Sequence, residues 1–351
     1  MLAHLWSKVL RVKRVGLHDN FFELGGHSLL AVRIMFEIEK LFGKRLPLAT
    51  LLQAPTIANL ADVLRRENWT PSWLSLAPIR AGGSKPPLFL MHAHGGNVLE
   101  YYSLANHFGA DQPIYALQAR GLDGHIKKNQ SLEKIVAGYL DELRSLQPDG
   151  PYFLGGFCFG GLLALEAAQQ LTAAGQEVAL VALIQTINPA VGRFKPGTPM
   201  FHRWWYRTTK RIDLERENFS YRGTNYIYAR WRDAMDIACA RTAIVFDNAI
   251  GNGHKQRTNL SMRYILESLR IEHDKAGANY RLDPYRGDVI LFRARKQLSG
   301  LMIDHSLGWK DVIQGNLDIC EIPGHQQNML SEPHVSCIAE QLSARLQVAR
   351  H

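Results

Sequence analysis

The string Gly155-Gly156-Phe157-Cys158-Phe159-Gly160-Gly161 constrains this chain more than any other segment. The apolar Tyr152 to Gly155 ahead of it reads as a buried strand. Leu162, Leu165 and Leu171 after it recur at helical spacing up to Gly175, a residue suited to a helix C-cap. A strand that passes straight into a helix through one residue forces that residue into a sharp turn. Only glycines on either side leave the backbone enough room, and the side chain at the turn then projects above the sheet. Alone, the pentapeptide also fits a glycine-rich turn around a small buried thiol, since free cysteines are often buried. The strand before and the helix after favour a nucleophile elbow bearing Cys158.

The surroundings repeat the alternation. Leu88 to Met91 reads as a buried strand running into His-Ala-His-Gly-Gly, and Pro113 to Leu117 as another. A helix is expected from Leu132 to Leu146, strands over Val178 to Ile184, Asp288 to Phe292 and Leu317 to Ile322, and a last helix after Pro333. Such βαβ order implies a mostly parallel sheet with helices on both faces. Residues 188–283 break the rhythm. They are aromatic-rich and helical in pattern, and they stand where a lid would be inserted.

Residues 2–67 read instead as a small all-α bundle. Leu2, Leu5 and Val9 mark one amphipathic helix. Leu30, Ile34, Ile38 and Leu41 mark a second that opens at Ser28, and Ile57, Leu60, Ala61 and Leu64 a third after Pro55-Thr56. Residues 68–87, rich in Pro, Gly and Ser, read as a linker. The expected layout is a bundle over 2–67, a linker over 68–87 and an α/β domain over 88–351 with its lid.

Composition narrows the function. The chain has 351 residues, a formal charge of +9 and 46% hydrophobic residues, so it can bury a full core. Its basic residues are scattered and no nucleic-acid motif accompanies them, which argues against nucleic acid as partner. No apolar run reaches the ~18 residues that span a bilayer, and the N-terminus lacks a signal layout, so a cytoplasmic location and no membrane partner are expected. The four cysteines are far apart, which argues against a zinc site or a disulfide framework and leaves no metal expected.

A serine opening a helix is by itself usually an N-cap. Here it closes the string Val15-Gly16-Leu17-His18-Asp19-Asn20-Phe21-Phe22-Glu23-Leu24-Gly25-Gly26-His27-Ser28-Leu29, with Ala-Pro-Thr-Ile-Ala-Asn-Leu-Ala at 54–61. Residues 2–67 so closely resemble a peptidyl carrier domain of nonribosomal peptide synthetases. The resemblance implies covalent 4′-phosphopantetheine on Ser28, placed by a phosphopantetheinyl transferase, with condensation and adenylation domains upstream. A phosphodiester there would lie at a helix N-terminus, where free N–H groups and the dipole favour an anion.

The strand-end string Leu88 to Tyr101, the segment Gln112 to Gly121, the elbow, Ser306-Leu-Gly-Trp and Pro323-Gly-His with Met-Leu-Ser-Glu-Pro-His-Val resemble a terminal thioesterase of the same synthetases, over about residues 75 to 349. That implies an α/β-hydrolase fold that receives a peptidyl thioester from the carrier in cis, with backbone N–H groups of His94 and Phe159 as oxyanion hole. Three departures stand out. Cys158 replaces serine, Gln185 falls where the family has its acid, and Gln326 falls where it has its histidine, with His325 beside it.

A thiol, with an ordinary pKa of about 8.5, needs less help than an alcohol, and papain-like enzymes use Cys, His and a neutral Asn. The expectation is Cys158 as nucleophile and His325 as base, oriented by Gln185 or Gln326. His94 is the rival base, with Asp304 and Glu321 as candidate relocated acids. Transfer from one sulfur to another keeps the acyl chain activated. By resemblance to cysteine-type thioesterases, and to the monobactam-forming type of sulfazecin-like synthetases, this implies closure of a strained ring, a β-lactam rather than a β-lactone. Hydrolytic or macrocyclising release is the alternative, and a catalytically inactive docking domain a third reading. Arg203, Arg207, Lys210 and Arg211, interleaved with Trp204, Trp205 and Tyr206, read as a solvated face or as a holder for an anionic substrate group.

Overall fold

The computed structural model describes residues 1–26, 28–44, 46, 48, 50–66, 74–122, 125–191, 200, 235, 237–245, 262–297 and 304–348. Its N-terminal part is a helical bundle of α1 (Leu2–Leu10), α2 (Ser28–Phe42), α3 (Thr50–Gln53) and α4 (Ile57–Arg65). Trp6, Phe21, Ile34, Ile38 and Leu60 form its dry centre. Thr56 caps α4 by accepting the Asn59 N–H at 3.2 Å, a bond that satisfies one of the helix's free donors.

The rest is one seven-stranded sheet in the order β1-β3-β2-β4-β5-β6-β7. The strands are β1 (Leu76–Arg80), β2 (Leu88–Met91), β3 (Ile114–Leu117), β4 (Tyr152–Phe157), β5 (Val178–Ile184), β6 (Val289–Lys296) and β7 (Leu317–His325). All adjacent pairs are parallel except β1 with β3. The helices are α5 (Tyr101–Asn106), α6 (Leu132–Leu146), α7 (Phe159–Ala173), α8 (Met262–Asn279) and α9 (His334–Val348). The segment expected to be a linker therefore holds β1, a strand hidden by its prolines and glycines. It is tolerated because it is an edge strand, which needs partners on one side only.

The central strands β2, β3, β4 and most of β5 are buried on both faces, which is why these segments read as unbroken apolar runs. Leu88 and Leu90 face the layer containing α5 and α9, while Phe89 and Met91 face that of α6 and α7. The first layer is continuous with the apolar centre of the bundle, so the two parts share packed surface. Phe22 stacks on Tyr102 of α5 at 4.2 Å, and Asn20 donates to the Tyr102 hydroxyl at 3.0 Å.

Of the expected lid, α8 and the helical residues 237–245 are described. The Arg203 to Arg211 stretch lies outside the described residues. No described helix is long and apolar enough to cross a membrane.

Candidate active site

Cys158 sits between β4 and α7 with φ 55° and ψ −114°, a region that side-chain-bearing residues rarely occupy. The fold over-determines it. The Cys158 N–H donates to the Ile184 carbonyl at 2.8 Å, at the end of β5. A Cβ on Gly156 would lie 2.2 Å from the Gly160 backbone, and one on Gly160 2.2 Å from the Met91 carbonyl. Glycine at these two places is what lets strand, turn and helix close on one another. Beneath the elbow, the buried Tyr101 hydroxyl donates to the Met91 carbonyl at 2.5 Å and accepts the Phe157 N–H at 2.8 Å, tying the ends of β2 and β4 together.

His94 and Gln326 reach the sulfur. His94 Nδ1 is 3.5 Å from Cys158 Sγ, and Gln326 Nε2 donates toward it at 3.7 Å. His94 is in turn held twice by α8. Its Nε2 meets Asp274 Oδ1 at 3.1 Å, and its carbonyl accepts from His273 Nδ1 at 2.9 Å. Its ring packs on Phe159 with centroids 4.8 Å apart, and Phe159 stacks on His273 at 5.2 Å. Consecutive residues of one helix therefore fix both the backbone and the ring of His94.

The electrostatics follow this geometry. Burial pulls the His94 imidazole toward neutrality, but the Asp274 carboxylate and the Cys158 sulfur outweigh it and raise its pKa to about 9. The same bond holds Asp274 below the usual carboxylate range, against some burial. His273 goes the other way, pushed down to about 4 by burial and by the neighbouring His94 charge. It is a neutral strut. His92, fully buried against the Tyr139 hydroxyl at 2.7 Å, is likewise driven well below the ordinary range by burial and the His273 charge.

The imidazole seen at the sulfur is that of His94, the rival base of the sequence reading. His325 is 3% exposed at the end of β7, paired with Lys296 across the sheet. β7 ends at His325, whose N–H donates to Asn328 Oδ1 at 2.8 Å, and the single 3-10 turn that begins at Gln326 brings the Gln326 amide to the elbow. Gln185 does not orient an imidazole. It is buried with φ 45°, accepts the Ala294 N–H at 2.7 Å and donates to Gln297 at 2.8 Å, closing the end of β5 onto β6.

Asp304 accepts from the Ser306 hydroxyl at 2.7 Å and from the Gly308 N–H at 3.0 Å, bonds that keep its carboxyl low and build a turn. That turn delivers Trp309, whose indole N–H donates to the Thr186 carbonyl at 2.7 Å. Glu321 pairs with Arg293 at 2.7 Å. The carboxylate that does reach the site, Asp274, went unread in the sequence. Its only signal is the His273-Asp274 pair in a lid helix, and no spacing relates that helix to the elbow.

On the carrier side, Ser28 opens α2, whose first N–H groups have no intrahelical partners. Gly25 takes φ 89°, and a Cβ on Gly26 would lie 2.4 Å from the Phe21 carbonyl. A cavity of about 330 Å³ runs from Gly26 between Phe22, Tyr102 and Glu100 to Phe157 and Gln326. No group of His, Cys, Asp and Glu suited to a metal occurs among the described residues.

Comparison with known proteins agrees with this layout. Residues 2–64 match the family model of the phosphopantetheine attachment site, and residues 86–199 that of the thioesterase domain. The chain is 34% identical over 325 residues to malpinin synthetase of Mortierella alpina, covering 92% of this chain and 4% of that protein. It is 30% identical over 359 residues to chondramide synthase cmdD of Chondromyces crocatus, covering 97% of this chain and 9% of that one. It therefore spans only a small fraction of these relatives. Among solved structures it superposes on the four-domain nonribosomal peptide synthetase holo-AB3403, bound to AMP and glycine, with TM-score 0.60 and 27% identity, over 98% of this chain and 25% of that one. The attachment domain carries covalent 4′-phosphopantetheine, and the chain is a carrier–thioesterase didomain.

Proposed function

We propose that this didomain releases a nonribosomal peptide from its carrier by taking the acyl chain onto Cys158 as a thioester and closing it into a strained ring. The observation that carries this reading is the alignment of Asp274, His94 and Cys158, at 3.1 Å and 3.5 Å. His94 takes the thiol proton of Cys158 and, as imidazolium, faces the thiolate. Asp274 holds the ring in the orientation that this requires. The Phe159 N–H, free at the start of α7, and the His94 N–H receive the oxyanion. Gln326 adds a neutral donor beside the sulfur.

Ser28 is the residue that would hold the phosphopantetheine, which supplies a sulfur on a flexible arm for the incoming acyl chain. An acyl-Cys158 thioester keeps the reactivity that a serine ester would give up. That matters most when the product is strained or the attacking group weak, and the β-lactam is the reading that best uses it. Condensation and adenylation domains upstream and a phosphopantetheinyl transferase are the partners of such a didomain. An inactive docking role does not account for a strained elbow with an imidazole at its sulfur.

Intact-mass analysis of the peptide-loaded protein tests the reading. A transient acyl adduct on Cys158, absent in Cys158→Ala, is expected, with a released product one water lighter than the free acid. Free acid as sole product would remove ring closure and leave hydrolytic release. A protein that never acquires the adduct would remove the acyl-cysteine mechanism itself.

A further inference from the structure

We propose that Glu100 is a second proton-handling group of this site, giving its proton to the thiolate that departs when Cys158 takes over the acyl chain. This rests on the acyl-Cys158 reading above. The need arises from the chemistry of that handover. Exchange of one thioester for another is close to symmetric, so the departing thiolate remains a competent nucleophile toward the carbon it has just left. Only the thiolate attacks, so protonating it ends the return reaction. A serine nucleophile, which forms the less reactive ester, has less need of such a device.

The position of Glu100 meets this need. It immediately precedes α5 and lines the cavity that also contains Gly26, two residues before Ser28, and Gln326, whose amide touches the sulfur. Glu100 thus stands in the cavity between the residues just ahead of α2 and the amide at the sulfur. Oε1 of Glu100 is buried and has no hydrogen-bond partner, an arrangement that costs stability in any carboxylate and is relieved in a carboxylic acid. The backbone N–H facing its carboxyl group is that of Ala93, the residue before His94.

Burial raises the Glu100 pKa to about 7, with the Ala93 N–H pulling partly back. Of the titratable groups, Tyr101 follows it in sequence and feels its charge, and Glu23 of the carrier lines the same cavity. An acid at about 7 protonates a thiolate of ordinary pKa, about 8.5, with roughly thirtyfold preference.

The step balances. The Cys158 sulfur forms its bond to the acyl carbon, and the carbon–sulfur bond to the arm breaks. The electron pair leaves on the arm's sulfur and the Glu100 proton joins it. Glu100 regains a proton from solvent. His94 keeps the proton it took from Cys158 and sheds it once the sulfur's charge, which helped to raise its pKa, is gone. It is then free to act as base for release.

The test uses the Ser28→Ala protein, which cannot be loaded, with a soluble acyl-pantetheine thioester as donor. Intact mass follows acyl-Cys158 formation across pH, and ¹³C carboxyl NMR follows Glu100 in the same protein without donor. The expected result is a rate that falls as pH rises through about 7, together with a Glu100 titration in that range. Glu100→Gln, nearly the same shape, should lose this pH dependence and react roughly tenfold or more slowly near pH 6, within the usual range for a general acid.

A Glu100→Gln rate equal to wild type near pH 6, or one that still falls through neutrality, overturns the role of Glu100 alone. So does a wild-type rate that does not fall, or a Glu100 carboxyl that titrates in the ordinary range, neither of which depends on the variant's folding. No acyl-Cys158 in either protein overturns the handover itself.

Discussion

Asp274 Oδ1 lies 3.1 Å from His94 Nε2, so α8 supplies the carboxylate that steadies an imidazole in the loop after β2. In this fold the acid and the histidine usually follow later strands. Here both of those places hold glutamine: Gln326 donates toward the sulfur, and Gln185 closes β5 onto β6.

Removing the carboxylate should therefore move His94. In Asp274→Asn the imidazole loses its main support and its pKa should fall from about 9, as read by ¹⁵N NMR of the ring. Turnover should drop roughly tenfold to a hundredfold, less than the ~10⁴ that follows loss of a buried triad aspartate, because Asp274 is 58% exposed. An unchanged His94 titration would show that the pair does not form in solution.

Stability should carry the same sign. A histidine whose folded pKa is raised favours the folded state fully below its unfolded value of about 6.5, and this contribution is lost as pH rises toward about 9. Thermal melting of wild type minus Asp274→Asn should show a gap that is widest below pH 6.5 and closes toward pH 9. A gap that widens with alkali would contradict the assignment.

The two groups at the sulfur should differ in weight. His94→Ala should abolish acyl-Cys158 formation at neutral pH. Gln326→Ala removes only a long neutral hydrogen bond, worth about 1 kcal/mol or less, and should cost no more than roughly fivefold. Equal losses in the two variants, measured by single-turnover mass analysis, would argue against His94 as base.

Docking of the carrier should depend on Tyr102. Its stack on Phe22 is worth about 0.5–1.5 kcal/mol beyond area burial, so Tyr102→Ala should slow transfer from the tethered carrier roughly two- to tenfold. Transfer from a soluble thioester should be slowed less. Tyr102→Phe, which loses only the bond from Asn20, should lie between the two.

The elbow itself tolerates little. Gly160→Ala would place a Cβ 2.2 Å from the Met91 carbonyl, backbone that cannot step aside, and should destabilise the domain by about 2 kcal/mol or more. A lowered melting temperature is expected even with Cys158 replaced by alanine, since the conflict is steric and not chemical.

The local signals were legible because they are short-range and leave a mark on adjacent residues. The apolar runs of β2, β4 and β5, the helix from Leu132 to Leu146, Ser28 at the head of α2 and the glycine frame of Cys158 could all be read along the chain. The edge strand β1 was not, because its Pro78 and the breaker-rich residues beside it obscure the pattern. Nor was the imidazole at the sulfur. His94 stands in the loop after β2, and contacts with α8 hold it at Cys158, which no spacing along the chain foretells. Asp274 lies furthest from legibility. Nothing in the order of residues says that the turn of α8 bearing His273 and Asp274 packs over the loop after β2. The sequence determined the elbow that bears Cys158, since its strained turn demands glycines at fixed offsets. Only tertiary packing selected its imidazole and carboxylate, because hydrogen bonds between distant segments depend on how helices lie across a sheet and not on spacing along the chain.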